Sequence, residues 1–290
     1  MLLSTLFLLA LSAAGLWAVR ATRRERTESV FQQAASLAVA AAAYLDQCLS
    51  SVDSTASMFV RSRGREPMTR ANLDQSLAAV LRDQPCVLDA ILTGPESVII
   101  GSGLPTALEK PPGALPHLQQ VLATKRRAIS DLGVDPVAGK PTLFFGYPVP
   151  DAAAEVLTLA LDLARVGSTF AEIPLPAGSV ITLTTPGGLV LARSREADRY
   201  IGTTVEVPGR PEPGDSPRTV RLTGDGIDQL AATASIRLAP WLVTVAIPDD
   251  VVVASLWPQW RRELLVVAIA VLGSIILCVW LCGQKSPRLD

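Results

Sequence analysis

The chain has 290 residues, of which 49% are hydrophobic and 18% are charged, and its formal net charge is −1. This balance excludes the strongly basic surface of a nucleic-acid-binding protein, so we expect no nucleic-acid partner. Four cysteines are too few for a disulfide-based scaffold.

Two uncharged apolar stretches stand near the ends of the chain, at 2–19 and 264–282. Each is close to the roughly 20 residues that a helix needs to cross a bilayer. The first has no basic N-terminal region and no small-residue cleavage site, which favours an uncleaved anchor over a signal peptide. We predict transmembrane helices at 1–20 and 260–282, with one block between them on a single side of the membrane.

The charges beside these stretches do not fix the side. Arg20, Arg23, Arg24 and Arg26 follow the first stretch, and the positive-inside rule would hold that end in the cytoplasm. The rule applies best to short loops, whereas a block of this length can be translocated despite such charges. Both orientations therefore stay open from charge alone.

A segment without Gly or Pro, at 25–62, follows the arginines and predicts a long stalk helix at 21–62. Its apolar residues recur at alternating steps of four and three, a repeat of about 3.5 residues. They are Phe31, Ala35, Ala38, Ala42, Leu45, Leu49, Val52, Ala56 and Phe59. Such a stripe is typical of a helix that pairs with a second copy in a parallel homodimer, and equally of a helix packed along its own domain. Both interpretations stay open.

From Cys86 onward, short apolar runs alternate with turns, which is the pattern of an antiparallel sheet. Helices are predicted at 72–81 and 117–124, and Asp162 is a suitable N-cap for a third, short helix. We place this first module at 63–174. Its strands are predicted at 86–92, 97–103, 127–133, 142–149 and 155–162.

A second, smaller module is predicted at 175–259, beginning with a tight hairpin at 180–194. Alternating apolar and polar residues at 229–236 predict an edge strand, while the continuous apolar run at 242–247 predicts a central strand. The order of elements predicts an α+β fold in which a long N-terminal helix carries two tandem antiparallel-sheet modules. The three strands after the hairpin are predicted at 218–223, 229–238 and 241–248.

The segment AISDLGVDPVAGKPTLFFGYPVPDAAAEVLTLALDLARV, at 128–166, resembles the Cache (double PAS-like) extracytoplasmic sensor domains of bacterial chemoreceptors, sensor histidine kinases and diguanylate cyclases. It has the D-x-x-x-G-K-P turn of that family, a strand ending in Pro-Val and a strand ending in Asp-Leu. The matching residues are Asp135, Gly139, Lys140, Pro141, Pro148, Val149, Asp162 and Leu163. The hairpin of the second module matches at Gly188, Val190, Leu191, Ala192 and Gly202, and its APWLVTVAIP segment resembles the closing strand of the family.

The resemblance implies two PAS-like modules in a periplasmic block, anchored in a bacterial inner membrane. The second module would lie nearer to the membrane, and a short tail at 283–290 would lie in the cytoplasm. The implied function is a sensor that binds a small polar or anionic ligand and passes the signal across the membrane, without enzymatic activity and without a cofactor. Family members continue into an output domain, which we expect here from a separate kinase or cyclase protein or expect to be lost.

The alternative is a non-sensing envelope scaffold or interaction protein with the same fold. The chain lacks the Arg-x-Trp-Tyr motif that amino-acid-sensing members carry after the middle helix. The equivalent stretch is KRRAISDL, at 125–132. The resemblance therefore does not extend to amino-acid sensing.

The same resemblance places the ligand over the concave sheet face of the first module. Arginine together with aspartate suits a zwitterion or a carboxylate, and a tyrosine supplies a stacking or hydrogen-bonding wall. The polar residues so placed are Arg126, Arg127, Ser130, Asp131, Tyr147 and Asp151.

Signatures of enzymes and of metal sites are missing from the sequence. His117 is the only histidine and has no second ligand at metal spacing, which predicts a solvated or capping residue. Cys48 and Cys86 are predicted to be two separate buried thiols, with a bridge between them as the alternative in an oxidising compartment.

Overall fold

The computed structural model describes residues 2–63, 68–105, 116–150, 152, 154–207, 209–212, 215–224 and 227–250, with 265, 268, 269, 272 and 273, and side chains from Thr27 onward apart from 223–227. The predicted second transmembrane helix at 260–282 falls almost entirely outside the described residues. The predicted tail at 283–290, the site residue Asp151 and the side chains of the first predicted span also lie outside them.

The first helix, α1 (Leu2–Arg63), confirms the predicted long helix. Within the described residues its part Thr27–Arg63 is the one helix long and apolar enough to cross a membrane, with a mean hydropathy of 1.2. Its apolar stripe is nevertheless buried inside the protein, because Leu45, Leu49 and Ala56 belong to a core that both sheets share. From Ala38 to Phe59 the stripe therefore packs within the chain, whereas Phe31 and Ala35 at its start are half-buried.

The first sheet is antiparallel, with strand order β2-β1-β6-β5-β3 and with β4 also paired to β5. Its strands are β1 (Val87–Thr93), β2 (Ile99–Ser102), β3 (Ala128–Ile129), β4 (Gly133–Val134), β5 (Pro141–Pro148) and β6 (Val156–Asp162). The predicted hairpin and the two long strands are confirmed. The predicted strand at 127–133 is instead two short strands. Ser130 N still donates to the Phe144 carbonyl at 2.9 Å, but the reciprocal bond from Phe144 N goes to the Ser130 hydroxyl, which itself donates to the Asp131 carbonyl.

Three helices surround the first sheet: α2 (Arg70–Asp83), α3 (Pro116–Thr124) and α4 (Leu163–Glu172). The Asp162 carboxylate accepts a hydrogen bond from Arg165 N at 2.9 Å, which confirms its predicted N-cap role. Apolar side chains of α1 and α2 pack on one face of the sheet, and α3 packs on the other face over Gly146. The face under α3 lies opposite α1 and is called the concave face.

The second sheet has the order β8-β7-β11-β10-β9. Its strands are β7 (Val180–Thr184), β8 (Val190–Arg193), β9 (Arg218–Gly224), β10 (Ile227–Ser235) and β11 (Leu242–Pro248), with a short helix α5 (Ala197–Tyr200) after β8. The central position predicted for β11 is confirmed. The edge position predicted for the preceding strand is wrong, because β10 pairs with both β9 and β11. Apolar and polar residues alternate along β10 because Leu230 and Ala232 face the core beside α1.

A disulfide joins Cys48 on α1 to Cys86 at the start of the first sheet, with Cα atoms 6.4 Å apart. The prediction of two separate thiols is therefore wrong and its alternative is right. Beside the bridge, the Gln84 side chain donates to Thr55 at 2.7 Å and accepts from Ser51 at 2.9 Å. Because disulfides persist in oxidising compartments, this bridge agrees with an extracytoplasmic location of the sheets.

Candidate functional site

The concave face of the first sheet carries several buried polar side chains. Leu143, Phe145, Leu157 and Leu159 point into the core beside α1. Because side chains alternate along a strand, the residues between them point toward α3. The concave set includes Asp89, Ile91, Thr142, Phe144, Thr158 and Ala160.

His117, in the first turn of α3, lies flat against this face. It is 1% exposed, its ring stacks on Phe144 with centroids 5.2 Å apart, and its Nε2 lies 3.3 Å from Thr158 Oγ1 in a hydrogen bond. Its Nδ1 is buried and has no hydrogen-bond partner among the described residues. Burial lowers the pKa of His117 to about 4, so the ring is neutral near pH 7. The prediction of a solvated or capping histidine is wrong, because the stack and the sheet enclose the ring.

Gly146 explains how His117 comes so close to β5. A Cβ atom at this position would lie 2.7 Å from Val121 Cγ2 and 3.2 Å from His117 Cδ2. Only a residue without a side chain therefore lets α3 lie directly on the strand.

Asp89 on β1 and Asp135 in the turn before β5 are two buried carboxyl groups, 0% and 1% exposed. Asp89 Oδ1 accepts from Ala90 N at 2.7 Å, and Asp135 Oδ1 accepts from Val137 N at 2.9 Å. By hydrogen-bond geometry the Oδ2 atom of each carboxyl has no partner among the described residues, although the Leu104 N–H is close enough to Asp89 to lower its pKa in part. Burial, followed by the nearby charge of Asp135, raises the pKa of Asp89 to about 7. The pair is suited to a bound cation or to a strong hydrogen-bond donor.

The strand register places these groups around one small residue. Asp89 is paired with Ala160 across β1 and β6, and Ala160 is paired with Phe144 across β6 and β5. Neighbouring strands lie about 4.8 Å apart, so Asp89 and Phe144 flank the short Ala160 side chain at about 10 Å from each other. His117 lies over Phe144 of this row. Buried polar atoms without partners among the described residues include Asp89 Oδ2 of the row, His117 Nδ1 and Asp135 Oδ2 in this module, and Ser179 Oγ and Thr184 Oγ1 in the second module.

Two of the sequence-predicted ligand residues, Arg127 and Tyr147, lie on the other side of the sheet. Arg127 Nη1 forms a salt bridge with Asp53 of α1, and the Tyr147 hydroxyl donates to the same carboxylate. Burial and the bond to anionic Asp53 raise the pKa of Tyr147 far above its usual value. The structure brings these two residues together around Asp53 rather than around the concave face, and their predicted ligand role stays untested.

The other predicted residues are scattered. Arg126 is exposed after α3, and Asp131 is exposed between β3 and β4. Ser130 is half-buried and is engaged by the backbone of Phe144 and Asp131. Asp151 lies outside the described residues. A role in ligand binding stays a prediction for each of them.

Open grooves in the described part of the chain lie elsewhere. One of about 530 Å³ runs between α1 and β10, and one of about 410 Å³ lies between α4 and the β8 to α5 segment. Another of about 530 Å³ lies along α1 beside Asp53 and Leu238. In the first groove, Asp46 Oδ1 already accepts from the backbone N–H groups of Arg237 and Leu238. We place the candidate site on the concave face because unpartnered buried polar atoms, rather than open volume, indicate a ligand.

Sequence reasoning missed Asp89, Thr158 and the burial of His117. The available signal was Asp89 itself, a carboxylate in the strand run Val87–Thr93 whose other side chains are apolar apart from the terminal threonine. A charged residue within such a run is rarely buried without a functional or pairing reason.

Comparison with known proteins places the fold among sensors. No protein-family model and no curated protein matches the chain. Among solved structures, the extracellular domain of rpHK1S-Z16, named as a histidine kinase, matches with a TM-score of 0.69 at 13% identity, covering 78% of this chain and 97% of that one. The fold is that of a sensor domain.

Two further sensor domains were solved with small ligands. The ligand-binding domain of Mlp24 with asparagine matches with a TM-score of 0.59 at 16% identity, covering 80% of this chain and 98% of that one. The ligand-binding domain of the Pseudomonas fluorescens chemoreceptor CtaA with L-alanine matches with a TM-score of 0.58 at 14% identity, covering 76% and 98%. The Cache-type fold predicted from the sequence is confirmed, and these structures are sensory domains rather than enzymes.

Proposed function

We propose that the protein is a membrane-anchored, extracytoplasmic sensor that binds a small ligand with an amino group on the concave face of the first sheet. The observation that carries the proposal is the set of buried atoms that have no hydrogen-bond partner within the described part of the chain, namely Asp89 Oδ2, Asp135 Oδ2 and His117 Nδ1. Such atoms cost free energy unless a ligand or water completes their hydrogen bonds.

The charge of the site favours a cationic group. Both carboxyl groups are buried, the charge of Asp135 is one cause of the raised Asp89 pKa, and no cationic side chain is among those causes. An ammonium group would donate to both Oδ2 atoms and would favour the ionised form of Asp89. The asparagine and L-alanine in the compared structures each contain an ammonium group. The small polar ligand expected from the sequence is kept, whereas an anionic ligand is less favoured because Arg127 already pairs with Asp53.

The remaining parts of the proposal rest on the fold and the sequence. The apolar stretches would anchor the sheets on the outer side of an inner membrane, and a separate kinase or cyclase would supply the output. The protein would have no catalytic activity of its own. The second candidate, a scaffold or interaction protein, would leave the concave face without a ligand.

The test is a melting-temperature screen of the full chain in detergent micelles. Matched pairs of compounds isolate the amino group: L-alanine against propionate, L-asparagine against succinamate, and putrescine against butane-1,4-diol. A ligand at a hundredfold excess over its Kd adds about 2.7 kcal/mol of stability, which shifts the melting temperature by several degrees. We expect at least one amine to stabilise the protein while its matched partner does not.

Variants locate the binding site. Asp89→Asn and Asp135→Asn should each abolish the shift, because they remove the charge that faces the ammonium group. Asp131→Asn is the matched control, since Asp131 is exposed. If only Asp131→Asn loses the shift, the result would support the ligand site predicted from the sequence instead. Absence of any shift in all three pairs would favour the scaffold.

A further inference from the structure

The helix α3 links the candidate site to the second sheet through its two ends. Its first turn holds His117, and Arg127 follows its last residue, Thr124, after a two-residue turn. Its buried side chains, Leu118 and Val121, form a small cluster with Ala128 and Val156 that is separate from the main core. An element attached through a small satellite cluster moves at a lower cost in free energy than an element of the main core.

Arg127 connects this helix to the second sheet. While Nη1 pairs with Asp53, Nη2 donates to the Leu238 carbonyl at 3.1 Å. Leu238 belongs to the turn at 236–241 between β10 and β11, which Ile236 N closes by donating to the Trp241 carbonyl at 3.0 Å. The guanidinium of the first-sheet residue thus holds both α1 and the turn of the second sheet.

An aromatic contact reinforces this connection. Phe145 on β5 meets Trp241 of the turn edge to face, with ring centroids 6.0 Å apart and planes at 79°. Arg127 lies 6.0 Å from the centroid of the same Phe145 ring. The residue before it, Phe144, stacks on His117 on the opposite face. A change at the concave face is therefore one residue away from the contact between the sheets.

We propose that α3 is a lever that couples the occupancy of the site around His117 to the turn at 236–241, with Arg127 as the contact that carries its movement into the second sheet. That the signal starts at a bound ligand rests on the proposed function. The coupling between α3 and the turn at 236–241 does not rest on it, because the contacts involved are present without a ligand. Displacement of α3 withdraws Arg127 from the Leu238 carbonyl and leaves Asp46 as the described α1 side chain that still accepts hydrogen bonds from the turn, through Arg237 N and Leu238 N.

Gly146 offers a way to move α3 without a ligand. In Gly146→Ala the new methyl group must displace Val121 and His117, which lifts α3 from β5. Val121→Ala loosens the same helix by removing buried packing and serves if Gly146→Ala does not fold. The matched control is Gly94→Ala, whose methyl group would lie 3.3 Å from Ile100 in the same sheet but away from α3.

The measurement is amide hydrogen exchange of the full chain in detergent, followed in the peptide that contains 236–241 and in the peptide that contains β7. The strand β7 is the reference, because it lies in the second sheet and a general loss of stability would raise its exchange too. In Gly146→Ala we expect exchange at 236–241 to rise about fivefold or more relative to β7. Gly94→Ala should leave this ratio unchanged.

A second pair of variants tests the role of Arg127. Arg127→Met should raise exchange at 236–241 by itself, and adding Gly146→Ala to it should cause no further rise. Arg165→Met, which removes an exposed arginine of α4, should leave the effect of Gly146→Ala intact. The proposal is overturned if exchange rises in α3 but not at 236–241, if β7 rises equally, or if the effect survives in Arg127→Met. Since no ligand is used, these outcomes leave the proposed function to its own test.

Discussion

His117 stacks on Phe144 with ring planes only 13° apart, and this contact joins α3 to the middle of the first sheet. The imidazole is neutral near pH 7, and the carboxyl group of Asp89 on the same sheet face has a pKa raised to about 7, so two titratable groups of opposite type are buried on one face. Their contributions to the free energy of unfolding therefore change with pH in opposite directions, and urea unfolding can measure both.

The Asp89→Asn variant should gain stability relative to the unmodified protein as the pH rises from about 4 to about 7. The raised pKa means that the folded state holds a proton that the unfolded state releases above its ordinary pKa of 3.8. The contribution of Asp89 is therefore present at low pH and is lost as the pH rises through about 7. In urea unfolding across this range, the free energy of unfolding of Asp89→Asn relative to that of the unmodified protein should rise by about 1.4 kcal/mol per pH unit.

The His117→Gln variant should show the opposite slope. The folded state keeps the imidazole neutral down to about pH 4, whereas the unfolded state takes up a proton below 6.5. His117 therefore destabilises the protein as the pH falls, and its removal should help most at low pH. Stability relative to the unmodified protein should fall by about 1.4 kcal/mol per unit between pH 4 and 6.5. Parallel slopes for the two variants would contradict the assigned burial.

A backbone test is available in the turn between β7 and β8. Gly188 has a φ of 85°, and a Cβ atom there would lie 2.1 Å from the Val205 carbonyl oxygen. Gly188→Ala should therefore cost about 2 kcal/mol or more in urea unfolding. Gly187→Ala is the matched control, because its nearest neighbour would be Thr185 Oγ1 at 3.8 Å. Its cost should stay within about 0.5 kcal/mol, and equal costs would contradict the turn geometry.

The disulfide between Cys48 and Cys86 should contribute about 3–4 kcal/mol, because it closes a loop across 38 positions of sequence. Cys48→Ala with Cys86→Ala should lower the urea midpoint by the corresponding amount. Dithiothreitol should lower the midpoint of the unmodified protein to that level and should leave the double variant unchanged. Full alkylation of both cysteines without a reductant would show that the bridge is not formed.

The elements themselves could be predicted because their signals are local. The Gly-free and Pro-free run gave α1, and the turn residues around 93–96 and 185–188 gave both hairpins. The position of β10 within its sheet was mispredicted, because alternation reports which face is buried and not how many strands are neighbours. The broken strand after α3 depends on one Ser130 hydroxyl, which no periodicity reveals.

The candidate site was harder to predict, because it depends on partners distant in sequence. Arg127 and Asp53 are 74 positions apart, so the sequence alone cannot show that the arginine is already paired. The sequence named the concave face as the place of the ligand, and that place stays a prediction. Which polar residues point toward it follows from the register between β1, β6 and β5, and that register places Asp89 beside Ala160.

The parallel homodimer predicted from the stripe on α1 stays a prediction, but two copies would have to meet through exposed residues of α1 rather than through the buried part of the stripe. Leu49 is fully buried in the chain, whereas Gln47 is exposed. If two copies pair through α1, Gln47→Cys should crosslink between chains on mild oxidation in membranes and Leu49→Cys should not. A maleimide label should likewise reach only the former. Efficient crosslinking through Leu49→Cys would show that the stripe, and not the exposed face, joins the copies.

The location of the sheets outside the cytoplasm can be tested by fusion. Gly209 lies in the loop before β9, so alkaline phosphatase inserted there should leave both sheets intact. Because this enzyme needs an oxidising compartment to form its own disulfides, activity at Gly209 is expected if the sheets are periplasmic. A fusion after Asp290 should be inactive if the chain crosses the membrane twice. The reverse pattern would mean that Arg20, Arg23 and their neighbours hold the sheets in the cytoplasm, where the bridge between Cys48 and Cys86 would not persist.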